Sequence, residues 1–126
     1  MAPLPNKPAR RLAVLTCMDA RIDPLAALEL ELGDAVILRN AGARASEDVL
    51  HSLRLAHEQL GIAEVEVVAH TDCAAHGGDD RAAADAALEA AHQIRGAVPG
   101  LRAAPALLDL RTGAVSRPDG ARPPSD

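Results

Sequence analysis

Short aliphatic runs recur along this chain, and residues typical of turns separate them. Runs of this length that are rich in Val, Leu, Ile and Ala are typical of buried β-strands. Three such strands are predicted, at residues 11–16, 35–39 and 64–69. Two further runs, 106–110 and 114–115, flank Arg111-Thr112-Gly113 and predict a final hairpin.

Segments with apolar residues at helical spacing separate these strands. Three helices are predicted, over residues 25–32, 46–61 and about 79–95. Pro24 suits the start of the first helix and Gly33 its C-terminal end. Ser46 is a suitable N-cap for the second helix, because its hydroxyl can accept a hydrogen bond from a free backbone N–H.

Alternation of strands and helices predicts an α/β fold with a mainly parallel sheet. We expect the strand order 2-1-3-4 with flanking helices, and the hairpin would make the last strand antiparallel. The expected organisation is a disordered or extended tail over residues 1–10, a single domain over 11–116 and a flexible tail over 117–126.

Composition narrows the possible partners of this 126-residue chain, which has a formal net charge of -5 and no Phe, Tyr or Trp. An acidic chain without basic runs argues against nucleic-acid and anionic-membrane partners. No apolar stretch approaches the roughly 18 residues that span a bilayer, and residues 1–10 lack the apolar segment of a signal peptide. We therefore expect a cytoplasmic protein with both cysteines reduced.

Two short clusters carry the candidate chemistry of the chain. Cys17, Asp19 and Arg21 follow the first predicted strand, and His70 and Cys73 follow the third. Ligands of an open parallel sheet bind beyond the carboxyl ends of its strands, where the strand order reverses, so the two clusters are expected to meet. Two thiolates and one imidazole are soft ligands suited to tetrahedral zinc.

Other interpretations of these residues remain open at this point. The two cysteines could form a disulfide, could be unrelated small buried residues, or could belong to a structural zinc site with four protein ligands. Asp19 and Arg21 could be an ordinary surface ion pair.

The motifs Cys17-x-Asp19-x-Arg21 and His70-x-x-Cys73 resemble those of the β-class carbonic anhydrases, and the similarity extends over residues 11 to about 78. The resemblance implies that Cys17, His70 and Cys73 bind one zinc ion per chain. It also implies that zinc-bound hydroxide attacks carbon dioxide and that bicarbonate leaves.

The resemblance implies two arrangements of Asp19. Paired with Arg21, Asp19 would orient the zinc-bound hydroxide; released from Arg21, it would become the fourth metal ligand and close the site. The resemblance and the lack of aromatic residues both predict self-association as a homodimer or larger oligomer. Ala74 departs from the family, which usually has Gly there, and would strain or narrow that position if it needed a positive φ or a close approach to the substrate.

Two alternative functions remain open, the first because of Ala74 and the missing aromatic residues and the second because the same zinc-bound hydroxide would serve. The chain could be a zinc-stabilised scaffold or binding protein of the same fold without turnover, or a hydrolase of a related C=S compound. The remaining histidines are expected to be surface residues, with His76 the nearest to the site and a weak candidate for a proton relay. Asp72 is expected to fix the backbone of the ligand turn.

Overall fold

Five strands form one sheet at the centre of the structure, a computed structural model that describes residues 3–117. In chain order they are β1 (Leu12–Cys17), β2 (Ala35–Asn40), β3 (Glu64–His70), β4 (Arg102–Leu108) and β5 (Val115–Ser116). Their order across the sheet is β2-β1-β3-β4-β5, and only the pairing of β4 with β5 is antiparallel. The predicted fold class and strand order are confirmed.

Three helices connect the strands: α1 (Pro24–Ala27), α2 (Glu47–Gln59) and α3 (Asp80–Ala97). Ser46 caps α2 as predicted, because its hydroxyl accepts a hydrogen bond from Val49 N. Asp79 caps α3 in the same way through Ala82 N. No helix in the described part of the chain is long and apolar enough to cross a membrane.

The first helix is much shorter than the predicted 25–32. It ends because Glu29 adopts a left-handed conformation, with φ of 57°. Glu29 N then donates to Ala26 O and Leu30 N to Leu25 O, the pair of bonds that terminates many helices at a glycine. This turn places Leu30 in the core. The expectation that Gly33 ends the helix was wrong, because a non-glycine residue ends it earlier.

The fourth strand lies earlier in the chain than the predicted 106–110. β4 contains Pro105, although proline cannot donate a ladder hydrogen bond and is unusual inside a strand. Among the described residues, β5 pairs only with Leu107 and Leu108, so the outer side of β4 needs no donor at Pro105. The predicted hairpin is confirmed, although its first strand is shifted.

Small aliphatic side chains build the core. Every residue of β1 and β3 is buried. Helix α3 packs on β3 and β4 through a face that is almost entirely alanine, formed by Ala83, Ala87, Ala90, Ala91 and Ile94. Alanine allows a helix to lie close to a sheet, which compensates in packing density for the missing aromatic volume.

The segment just before β1 and the C-terminal end of the described chain are both fastened to the domain. Ala9 N donates to Gly33 O and Arg10 N to Asp34 O, each at 2.9 Å, so the end of the predicted N-terminal tail is packed. Arg117, predicted to begin a flexible tail, forms a two-point ion pair with the buried Glu66. Residues 118–126 of that tail lie outside the described residues.

Candidate metal centre

The carboxyl ends of β1 and β3 bring three ligand side chains together. Cys17 is the last residue of β1 and His70 the last of β3, and the two strands are parallel neighbours. Cys73 follows three residues after His70. The ligand atoms of all three residues lie within 4.8 Å of one another, and all three side chains are buried. The predicted convergence is confirmed.

The ring of His70 is oriented as a metal ligand. Its Nδ1 donates to the carbonyl oxygen of Thr71 at 2.7 Å, which leaves a lone pair on Nε2. His70 is only 1% exposed, and its Nε2 has no hydrogen-bond partner within the described residues. A buried polar atom without a partner is costly, and coordination of a cation would satisfy it. The donor set of two thiols and one imidazole fits zinc.

The loop from His70 to Cys73 is not a helical turn. Asp72 adopts a left-handed conformation with φ of 54°, and a 3-10 helix over Ala74–His76 follows Cys73. The carbonyl of Cys73 accepts hydrogen bonds from His76 N and Gly78 N, which fixes the loop. Ala74 is not among the residues with positive φ, so the predicted strain at this position is absent.

Both cysteines are free thiols, and their sulfurs lie 3.9 Å apart. Burial is the main cause that raises the pKa of the Cys73 thiol, and the neighbouring Cys17 adds to it. The alternative of a disulfide between the two cysteines finds no support in this arrangement.

Gly42, in the loop after β2, donates its backbone N–H to the sulfur of Cys17 at 3.4 Å. His76 Nε2 donates to the carbonyl of the same Gly42 at 3.2 Å, so the loops after β2 and β3 are joined beside the ligands. The donor role of Gly42 was not predicted, because a backbone contact leaves no signal in residue type. His76 therefore contacts the loop after β2, which contains Gly42.

Asp19 and Arg21 form a two-point ion pair beside the ligands. Arg21 Nε donates to Asp19 Oδ1 at 2.9 Å, and its terminal nitrogen donates to Oδ2 at 2.7 Å. These hydrogen bonds from Arg21 hold the pKa of Asp19 well below its usual range. Asp19 Oδ2 lies 3.8 Å from His70 Nε2, a distance too long for a hydrogen bond but close to the ligand cluster.

Other polar residues support the backbone around the site. Arg39 donates to the carbonyl oxygens of Cys17 and Asp19, which fixes the segment that carries the first cluster. Asn40 binds both backbone groups of Arg44 and closes the loop that contains Gly42. Of the remaining histidines, His51 and His92 are exposed as predicted, whereas His57 is partly buried and donates to Ile62 O.

A mainly parallel sheet with two thiols and an imidazole at its carboxyl edge is an α/β architecture that can hold a metal ion. A family model described as carbonic anhydrase matches residues 12–110 of the chain. The chain belongs to the β-carbonic anhydrase family.

The curated relatives have names that describe two different enzyme activities. β-Carbonic anhydrase 1 of Mycobacterium tuberculosis is 41% identical over 71 residues, which cover 56% of this chain and 44% of the relative. Carbon disulfide hydrolase of an Acidianus species is 44% identical over 70 residues, which cover 56% of this chain and 33% of the relative. The chain thus spans less than half the length of these curated relatives.

Solved structures agree with the fold over a larger part of the chain. The crystal structure of a carbonic anhydrase from Streptococcus mutans superposes with a TM-score of 0.85 and 33% identity, covering 93% of this chain and 86% of that one. The apo form of a carbon disulfide hydrolase has a TM-score of 0.78 at 22% identity, covering 91% of this chain and 81% of that one, and supports the fold alone.

Proposed function

We propose that this protein catalyses the reversible hydration of carbon dioxide to bicarbonate, with one zinc ion bound by Cys17, His70 and Cys73. The observation that carries the proposal is the buried Nε2 of His70, which has no hydrogen-bond partner within the described residues and shares a cluster with two free thiols. Three protein ligands would leave the fourth tetrahedral position for solvent, as in catalytic zinc sites.

Zinc bound in this way would lower the pKa of a water molecule to about 7 and supply a nucleophile at neutral pH. Asp19 would accept a hydrogen bond from the attacking water and direct its lone pair towards the carbon of the substrate. Arg21 would hold the Asp19 carboxylate by its two-point contact, which a guanidinium forms with a defined geometry. The backbone N–H of Gly42 would stabilise negative charge on the Cys17 sulfur.

A second candidate reaction is the hydrolysis of carbon disulfide, which has the same linear shape as carbon dioxide. The support for it is the 44% identity to a carbon disulfide hydrolase over 70 residues, an identity comparable to that with β-carbonic anhydrase 1. The proposed ligands and the Asp19–Arg21 pair would serve either substrate. The third interpretation, a zinc-stabilised scaffold without turnover, loses one of its reasons because Ala74 is unstrained.

Stopped-flow measurement of carbon dioxide hydration on zinc-quantified protein tests the proposal, with release of hydrogen sulfide from carbon disulfide measured in parallel. Hydration that disappears in Cys73→Ala and falls strongly in Asp19→Asn supports carbonic anhydrase activity. Turnover of carbon disulfide without hydration of carbon dioxide would favour the second reaction as the activity of this protein. Full zinc content with neither activity would leave the scaffold function.

Self-association as a homodimer or larger oligomer is also proposed. Strand β2 lies at the edge of the sheet, and its apolar residues Val36, Ile37 and Leu38 are only partly buried. An edge strand with apolar side chains is a natural site of pairing between chains. Light scattering would show at least a dimer, and a fully active monomer would contradict this. The cytoplasm is the proposed location, since there thiols stay reduced.

A further inference from the structure

We propose that Asp72 is a positioning residue of the candidate site, which holds Arg21 in place so that Arg21 keeps Asp19 away from the metal ligands. The inference rests on the proposed function, because it assigns a control element to the same centre. It concerns a contact between the loops that follow β1 and β3.

Arg21 is shared between two acidic residues from different loops. Its Nε and one terminal nitrogen bind Asp19. Its NH1 donates to Asp72 Oδ2 at 3.3 Å, and its NH2 also donates to the backbone carbonyl of Asp72 at 3.0 Å. The guanidinium therefore links the loop that carries the first cluster to the loop that lies between His70 and Cys73.

Asp72 is itself held in an unusual conformation by helix α3. Its φ of 54° is left-handed, a region that Asp and Asn tolerate better than most residues. Its backbone N–H donates to the Oδ1 of Asp80, the first residue of α3, at 2.9 Å. This bond fixes the loop from which both the carboxylate and the carbonyl of Asp72 reach Arg21. A chain of contacts thus runs from Asp80 through Asp72 and Arg21 to Asp19.

These contacts from Asp80 to Asp19 affect the position of Asp19 at the proposed metal site. Half of the Arg21 side chain is exposed, and an exposed ion pair is weak when each side chain is free to move. Asp19 Oδ2 already lies 3.8 Å from His70 Nε2, so loss of Arg21 would need only a small movement for Asp19 to join the ligands. The second anchor at Asp72 makes the paired arrangement of Asp19 more favourable.

Three substitutions separate this role from general stability. Asp72→Asn keeps the left-handed backbone and the carbonyl contact but removes the charge that faces Arg21. Asp80→Ala removes the acceptor that holds Asp72 and touches neither Asp19 nor Arg21. Asp85→Asn, an exposed position on the same helix, is the matched control.

The test is the affinity of cobalt-substituted protein for thiocyanate, followed by visible absorption, together with the zinc affinity of each variant. Thiocyanate needs the fourth coordination position, so Asp19 in that position competes with it. We expect Asp72→Asn and Asp80→Ala to weaken thiocyanate binding by about fivefold, with zinc affinity equal to or above that of the unsubstituted protein. Asp85→Asn should match the unsubstituted protein.

Thiocyanate affinities equal to those of Asp85→Asn in both variants would overturn the inference. Zinc affinity and thermal stability that fall together with thiocyanate binding would also overturn it, because they would show a purely structural role. The titration does not depend on turnover. A protein that binds zinc but hydrates no carbon dioxide would therefore contradict the proposed function while leaving this result readable.

Discussion

The sulfur atoms of Cys17 and Cys73 lie 3.9 Å apart, although 56 positions separate the two residues in the chain. They meet because β1 and β3 are adjacent parallel strands, with Thr16, one residue before the end of β1, paired with Val68, two residues before the end of β3. No local segment of the chain contains the complete ligand set. A metal ion bound by this set would therefore be coupled to formation of the sheet.

His70→Ala should abolish stoichiometric zinc binding, because the site would lose one of its three candidate protein ligands. We expect about one zinc per chain in the unsubstituted protein and almost none in the variant after dialysis against a weak chelator. Inductively coupled plasma mass spectrometry measures this directly. His51→Ala is the matched control, since His51 is exposed on α2. Equal zinc content in both variants would exclude His70 as a ligand.

Gly42→Ala should weaken metal binding through the Cys17 contact. An added Cβ would lie 2.9 Å from His76 Nε2, and the φ of Gly42 is 85°. The loop must shift, and its N–H would lose alignment with the Cys17 sulfur. We expect zinc affinity to fall about tenfold, in the range typical of groups that contact metal ligands, as measured by competition with a chromophoric chelator.

Gly61→Ala is the control that separates the effect of steric crowding on zinc affinity from the effect of backbone strain. Gly61 also has a positive φ of 74°, but nothing lies within 4 Å of an added Cβ. It should lower the free energy of unfolding by about 1 kcal/mol without changing zinc affinity. If both variants weakened zinc binding equally, the Gly42 contact would have no specific role.

Arg117→Gln should destabilise the fold, because it leaves the buried carboxylate of Glu66 without its cation. Arg117 donates to both carboxylate oxygens of Glu66, at 2.7 and 2.9 Å, and Glu66 is only 2% exposed. We expect a loss of about 3 kcal/mol in the free energy of unfolding. Urea unfolding followed by far-ultraviolet circular dichroism is the suitable measurement, since the chain has no aromatic fluorophore.

The double variant Glu66→Gln/Arg117→Gln should recover part of that loss, since no unpaired charge would remain. A change below about 0.5 kcal/mol in Arg117→Gln, the size of an ordinary surface effect, would show that the ion pair does not contribute to stability.

The turn between β4 and β5 should show a pH-dependent contribution to stability. Hydrogen bonds from the Arg111 side chain are the main cause that lowers the pKa of Asp109. A carboxyl group with a lowered pKa in the folded state stabilises the fold at pH values above about 3.9, its pKa in the unfolded chain. This contribution to stability is lost as the pH falls through the lowered pKa of Asp109.

Arg111→Gln should therefore reduce stability at pH 6, and its difference from the unsubstituted protein should vanish once the pH falls below the lowered pKa of Asp109. Urea unfolding across this range and the NMR titration of Asp109 measure the effect. Arg54→Gln, an exposed arginine on α2, provides the control. An Asp109 pKa that is the same with and without Arg111 would refute the assignment.

Much of the fold could be predicted because the controlling signals are local. Aliphatic runs marked β1, β2 and β3 within one residue, and the Ser46 cap marked the start of α2. The end of α1 could not be predicted, because it depends on Glu29 adopting a left-handed conformation that its residue type disfavours. The burial of Leu30 in the core accompanies that conformation.

The candidate ligands could be predicted from residue type and from the rule that parallel strands end at one edge. The contacts that support them could not. Asp72 was expected to bind nearby backbone, but its carboxylate reaches Arg21 from another loop. That contact depends on the backbone conformation of Asp72 and on its bond to Asp80, which no sequence pattern shows.

Zinc K-edge X-ray absorption on the reduced, zinc-loaded protein tests the proposed metal centre most directly. The proposed centre should show two sulfur atoms at about 2.3 Å and one imidazole nitrogen at about 2.0–2.1 Å, with one further light atom. The sulfur count should fall to one in Cys73→Ser. A first shell with fewer than two sulfurs, or one that Cys73→Ser leaves unchanged, would contradict the proposed site.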